Sequence, residues 1–260
     1  MKKTKVIPIT REGKNIYCAS TGSGDSPLLL LHGNTASSFM FQPILPLYEK
    51  HFRVLVMDFL GHGNSDRLKE FPSDLWFSQA MQAAAVLDTL DLRNVNVLGT
   101  SGGALAALNL ALERPDLVGK VIVDSFEGEN ALDAVAAIIA AERTQVKSDP
   151  ESVRFWQTCH GDDWESIVDN DTQAMLRHHA TITSFFHRDI STLAMPVLLT
   201  ASLEDEFAEI ARFSETYTAM LNKIPKGAMH LFPTGGHPAL LSNAVPFAAL
   251  VEKFFLGLGE

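Results

Sequence analysis

The chain has 260 residues, 46% hydrophobic and 20% charged, a balance that excludes a disordered, collagenous or membrane-embedded chain and allows one large domain or a domain with an insertion. Lys and Arg total 21 against 31 Asp and Glu, so the formal charge of −10 is opposite to that of a nucleic-acid-binding surface, and no nucleic-acid partner is expected. The two cysteines, Cys18 and Cys159, fit neither a disulfide framework nor a zinc spacing and point to a reducing compartment, so a cytoplasmic protein is expected.

The opening Met1-Lys2-Lys3-Thr4-Lys5 resembles the charged start of a signal peptide, but the apolar stretch after it is only Val6-Ile7, broken by Pro8 and Thr10. Residues 6–10 and 15–21, joined by a turn at Gly13, read as an antiparallel pair. Further strands are predicted at 28–31, 54–58, 95–99, 118–124, 197–201 and 229–233, about eight in all. Helices are predicted near 37–50, 76–90, 102–113, 206–222 and 238–256, with Pro115 closing the third. Short β-branched or leucine runs alternating with helical segments are the pattern of crossover units on a mostly parallel sheet.

One interval breaks this rhythm. Between 125 and 194 no buried-strand run occurs, while 131–143, 150–157, 164–168 and 171–186 have helical character, so a helical insertion is expected between the sixth and seventh strands. The alanine-rich stretch 131–141 is too short to span a bilayer and is interrupted by Asp133, so no membrane partner is expected.

The strand at 95–99 runs into Gly99-Thr100-Ser101-Gly102-Gly103 and then a helical pattern. This is Gly-x-Ser-x-Gly in a strand–turn–helix context, where the turn presents a strained serine at a helix start and larger residues at the glycine positions would collide with their neighbours. Ser101 is therefore the candidate nucleophile.

With this motif the sequence resembles the α/β-hydrolase superfamily over nearly its whole length. Leu28-Leu29-Leu30-Leu31-His32-Gly33-Asn34 looks like the family's His-Gly loop. The resemblance implies backbone N–H donors to an oxyanion at Asn34 and Gly102, with His32 bracing the loop. Asp58-Phe59-Leu60-Gly61-His62-Gly63-Asn64-Ser65 matches a segment that marks the fold and leaves His62 outside the chemistry. Pro233-Thr234-Gly235-Gly236-His237-Pro238 lies where the family keeps its catalytic base, which implies His237. The acid is expected after the seventh strand, where Asp205 has the family spacing although Ala201-Ser202 replaces the common His-Gly; Glu204 and Asp124 are the alternatives.

The resemblance also implies a core domain of 1–124 and 195–260 with a helical cap at 125–194 that roofs the substrate pocket. Phe39, Met40, Trp156, Trp164, Phe185 and Phe186 are the candidate pocket residues, and His160, His178, His179 and His187 are expected to be solvated or to pack the cap. The function implied is hydrolysis of a carboxylic ester of a small, apolar substrate through an acyl-enzyme on Ser101, with no metal or cofactor. Thioesterase, lactonase, carbon–carbon hydrolase and cofactor-free perhydrolase chemistry use the same residues, and a receptor-like protein with little turnover is a rival of another class. The sequence leaves the oligomeric state open.

Overall fold

The computed structural model describes residues 5–257, so Met1 to Thr4 of the signal-like opening lie outside the described residues. Eight strands form one sheet: β1 (Lys5–Arg11), β2 (Lys14–Gly22), β3 (Ser26–Leu31), β4 (Phe52–Met57), β5 (Val95–Thr100), β6 (Val118–Asp124), β7 (Val197–Ser202) and β8 (Gly227–Phe232). Their spatial order is β1-β2-β4-β3-β5-β6-β7-β8; β1 and β4 each run antiparallel to β2, and every other pairing is parallel.

The parallel strands read as continuous apolar runs because both faces of the sheet are covered. Leu29, Leu31, Val97, Val121 and Leu199 face one core, packed by α2 (Leu75–Thr89) and α3 (Gly102–Glu113); Leu28, Leu30, Leu98, Ile122 and Leu198 face the other. The second core is closed by the single turn α1 (Leu45–Tyr48) and by the C-terminal helix described below. Leu31 pairs with Gly99, and Thr100 with Asp124, which in turn pairs with Thr200. The carboxyl ends of the central strands are thereby level, the place where open α/β sheets hold ligands.

Three helices occupy the chain between β6 and β7: α4 (Asp133–Val146), α5 (Pro150–His160) and α6 (Trp164–Thr181). The base of this insertion is drawn together by hydrogen bonds from Ala131 N to Thr183 O (2.8 Å) and from Phe185 N to Glu129 O (2.9 Å). α5 and α6 are tied to the loop after β4. Arg67 spans Asp163 with two bonds (2.7 and 3.0 Å) and reaches the His160 carbonyl (2.8 Å), Asn170 accepts from Phe71 N (3.1 Å), and Arg177 donates to Phe71 O (2.6 Å). α4 instead packs on α6 and on α7 (Ala208–Ala211), and its Asp133 pairs with His179 of α6 at 2.7 Å.

Several expected helices are divided. The stretch 37–50 becomes a 3₁₀ turn, Ser38–Phe41, followed by α1, because Pro43 and Pro46 deny it two amide donors. The stretch 206–222 is α7 and α8 (Phe213–Leu221), separated by Arg212 in the left-handed region at φ 47°. The stretch 238–256 is α9 (Ala239–Ser242) and α10 (Ala244–Leu256), with the Asn243 side chain donating to Thr234 O (2.9 Å) at the break. Conversely 164–168 and 171–186 are joined into α6, which stops at Thr181 and leaves Phe185 and Phe186 beyond it.

Candidate active site

β5 ends at Thr100 and α3 begins at Gly102, so Ser101 alone makes the turn, at φ 53° and ψ −126°. A non-glycine residue held there is strained, by about 1–3 kcal/mol. Glycine is required on both sides: a Cβ at Gly99 would collide with the Gly103 carbonyl oxygen, and one at Gly103 with the Leu31 carbonyl oxygen.

Ser101, Gly102, Asn34 and His237 line one cavity of about 600 Å³ between the strand ends and the inserted helices. Among the described residues, neither the backbone N–H of Asn34 nor that of Gly102 donates to another protein group. His237 Nδ1 donates to Asp205 Oδ2 at 2.8 Å, and the other carboxylate oxygen accepts from Phe207 N at 2.9 Å. Asp205 is fully buried while His237 keeps part of its ring open to the cavity. Glu206 accepts from His237 N at 2.8 Å, so two consecutive carboxylates hold the histidine by its ring and by its backbone.

The alternative acids lie elsewhere. Glu204 is exposed and Asp124 is buried at the end of β6, where its oxygens accept from Thr100 (2.9 Å), Thr200 (2.8 Å) and Leu240 N (3.0 Å). Burial pushes the Asp124 carboxyl up to about 6 in spite of these donors.

His32 holds its loop as expected: its Nδ1 meets Gly33 O at 2.9 Å, its Nε2 accepts from Phe59 N at 3.2 Å, and burial together with His62 pushes its pKa down. His62 is not idle. Its Nε2 donates to Asp171 Oδ2 at 2.8 Å, and the same carboxylate of α6 accepts from Asn34 Nδ2 (2.9 Å) and Thr35 N (3.2 Å). Burial would raise the Asp171 pKa, but the hydrogen bonds from His62, Asn34 and Thr35 hold it below the usual carboxylate value. The Asn34 side chain is pinned further by Trp76 Nε1, which donates to its Oδ1 at 3.1 Å. His160 adds a second tie, accepting from Gly63 N (3.0 Å) and meeting Thr35 O (2.9 Å); it is buried and its pKa is pushed down to about 4. It is thus neither solvated nor confined to the insertion.

Of the pocket candidates, Met40 and Trp156 line the cavity. Phe39 faces a separate polar hollow beside Gly63 and His160, because the 3₁₀ turn rotates it away from its neighbour Met40. Trp164 stacks on Trp156 at 5.5 Å between ring centroids but does not reach the cavity. Phe185 is buried beneath the insertion, edge-on to Trp76 (4.9 Å) and stacked on His178 (5.5 Å), and Phe186 joins the same core. Trp164, Phe185 and Phe186 are corrected to packing positions, and Phe39 to the wall of the second hollow.

Sequence reasoning missed Asp171, Arg143 and Phe207. Asp171 falls on the buried stripe Ile167, Val168, Asp171, Ala174 and His178, and a carboxylate in phase with an apolar stripe is the signal that could have revealed it.

The family model for the alpha/beta hydrolase fold matches residues 26–157, more than half of the chain. The protein belongs to the alpha/beta hydrolase family. The human protein named serine hydrolase BPHL is 28% identical over 255 residues, covering 93% of this chain and 83% of that relative. A 2-hydroxy-6-oxononadienedioate/2-hydroxy-6-oxononatrienedioate hydrolase of Cupriavidus pinatubonensis is 25% identical over 266 residues, covering 92% and 90%. The crystal structure of carboxylesterase CesB (YbfK) from Bacillus subtilis superposes with a TM-score of 0.71 at 18% identity over 99% of this chain and 93% of that one, a likeness of fold. Among the described residues no helix is long and apolar enough to cross a membrane, and no cluster of three or more His, Cys, Asp or Glu could hold a metal ion.

Proposed function

We propose that this family member is a serine hydrolase that cleaves a carboxylic ester of a small molecule through an acyl-enzyme on Ser101, with residues 125–194 acting as the cap of its pocket. The observation that carries this reading is the single cavity onto which the strained Ser101, the Asp205-held His237 and two amides without protein acceptors all open. His237 Nε2 takes the Ser101 proton as Oγ attacks the ester carbonyl. Asp205 accepts from Nδ1, fixes that tautomer and stabilises the imidazolium as it forms. The Asn34 and Gly102 amides donate to the oxyanion, where charge develops only in the transition state. The proton then passes from His237 to the departing alcohol, and water activated by the same histidine releases the acid and restores Ser101. Catalysis requires Ser101 Oγ and His237 Nε2 to come within hydrogen-bond reach when substrate is bound, a contact that is often long in free enzymes.

The test is Ser101→Ala, which should lower kcat for short p-nitrophenyl esters by about 10⁵- to 10⁶-fold, with an organophosphonate labelling Ser101 in the parent protein. Retention of more than a few per cent of activity would remove Ser101 from this role. Carbon–carbon bond hydrolysis on the same residues is the second reading, supported by the dienedioate hydrolase that aligns with 92% of the chain. A panel of esters, thioesters, lactones and vinylogous diketones separates the two.

A further inference from the structure

Along α4, Val135, Ile139, Glu142, Arg143 and Val146 recur at helical spacing and line the cavity that holds Ser101 and His237. Arg143 is the one lysine or arginine among the described residues that line it. Its Nε is buried without a hydrogen-bond partner, and among the described residues its guanidinium enters no ion pair. Its Cζ lies 5.8 Å from the centre of the Trp156 ring.

An N–H of a charged group brought out of water without an acceptor is costly, and the Nε–H of this half-buried guanidinium is in that position. The ring of Trp156 covers one face of the group but accepts none of its in-plane N–H bonds. Asp171 and Glu142 act on it through space, opposing the burial that pulls its pKa down. Neither is its partner: Asp171 already accepts from His62, Asn34 and Thr35, and Glu142 is exposed to solvent. The Nε–H is thus left without a protein acceptor on a group that lines the cavity.

We propose that Arg143 forms an anion subsite in this cavity and binds a carboxylate carried by the substrate, so that the ester cleaved at Ser101 is an acidic one. The planar fork of Arg matches a carboxylate with two parallel hydrogen bonds. Glu127, Glu142, Asp149, Glu151 and Glu206 also border the cavity, and these carboxylates oppose a doubly charged phosphate more strongly than a single carboxylate that Arg143 can neutralise. The proposal rests on the serine-esterase reading for its reaction but on Arg143 alone for its charge selection.

The experiment compares acidic and neutral esters in the whole protein: mono-p-nitrophenyl glutarate against p-nitrophenyl butyrate, and 4-butyryloxybenzoate against its methyl ester, so that the acid is carried first on the acyl side and then on the alcohol side. Arg143→Gln should lower the acidic-to-neutral ratio of kcat/KM by at least about tenfold for one pair, and Arg143→Lys should retain part of it, since a charge-assisted pair contributes on that scale. If Arg143→Gln leaves both ratios unchanged, whatever happens to the rates themselves, the guanidinium is a strut for Trp156 and the subsite is refuted. Calorimetry of glutarate binding needs no turnover and separates failure of this proposal from failure of the esterase reading. Binding to the parent protein that weakens at least about tenfold in Arg143→Gln sustains the subsite even if no ester is cleaved; binding equal in both proteins, or undetectable in the parent, overturns it.

Discussion

Asp171 offers the sharpest test of how the insertion and the strand-end loops depend on one another. Its carboxylate is fully buried and receives three donors, His62 Nε2, Asn34 Nδ2 and Thr35 N, at 2.8, 2.9 and 3.2 Å. Asp171→Ala strands all three, and since each buried donor left unpaired costs about 1–3 kcal/mol while relaxation recovers part, a loss of about 3–5 kcal/mol is expected. Asp171→Asn keeps one acceptor oxygen but turns an amide N–H₂ toward a donor, either Asn34, whose own oxygen is engaged by Trp76, or the His62–Thr35 pair; about 1–3 kcal/mol is expected. Urea unfolding with the slope held constant measures both. Because the carboxylate is bonded to Asn34 and Thr35, kcat for a p-nitrophenyl ester should also fall by about 10²-fold with KM little changed, the scale of a misplaced oxyanion donor. The folded pKa of Asp171 is depressed, so its contribution is present above the ordinary carboxylate range and is lost as pH falls through the folded value. A loss of less than about 1 kcal/mol in Asp171→Ala, with kcat intact, would refute the account of this network.

Asp205→Asn should lower kcat by about 10³- to 10⁴-fold, with Asp124→Asn and Glu204→Gln far milder; a larger loss at Asp124 would move the acid to β6. The half-buried Glu127, which accepts from Leu132 N at 3.0 Å, is pushed up to about 7 by burial, so the folded protein binds the extra proton and stability falls as pH rises from the ordinary glutamate value to about 7. Glu127→Gln removes that slope and should gain about 3 kcal/mol on the parent protein between acid and mildly alkaline pH, measured by urea unfolding at a series of pH values; parallel curves would exclude the shift. Trp156→Leu should change selectivity along an acyl-chain series, whereas Phe185→Ala should leave selectivity alone and cost about 3–5 kcal/mol, and a reversed pattern would reassign the two rings.

The sheet was legible in the sequence because strands buried on both faces must be apolar throughout, and the turn at Ser101 because only glycine fits beside it. The hydrogen-bonded pair of His237 and Asp205 was expected from the family resemblance, which puts an acid after the seventh strand and a histidine after the last. The helix limits at 37–50 and 206–222 were harder, since Pro43 and Pro46 and the left-handed Arg212 act on single turns that periodicity averages over. The break expected between Val168 and Asp171 is absent, because Asp171 continues the buried stripe of α6 as a carboxylate. That carboxylate is matched by His62, 109 residues earlier, a pairing that no local pattern reports. The aromatic residues misled for a related reason: composition places Trp164, Phe185 and Phe186 in the insertion but does not say which side of a helix pair they cover.

The inserted helices are moored unevenly. Arg67, Asn170 and Arg177 fasten α5 and α6 along the loop after β4, while α4 rests mainly on its neighbours α6 and α7. The cavity wall is therefore tied by side-chain hydrogen bonds along α5 and α6, whereas α4 meets the core through its packing on α7. Arg143 lies on α4. A ligand paired with it at one end and lodged near Ser101 at the other would bridge the inserted helices and the strand ends, and so add a tie on the side where the protein itself supplies few.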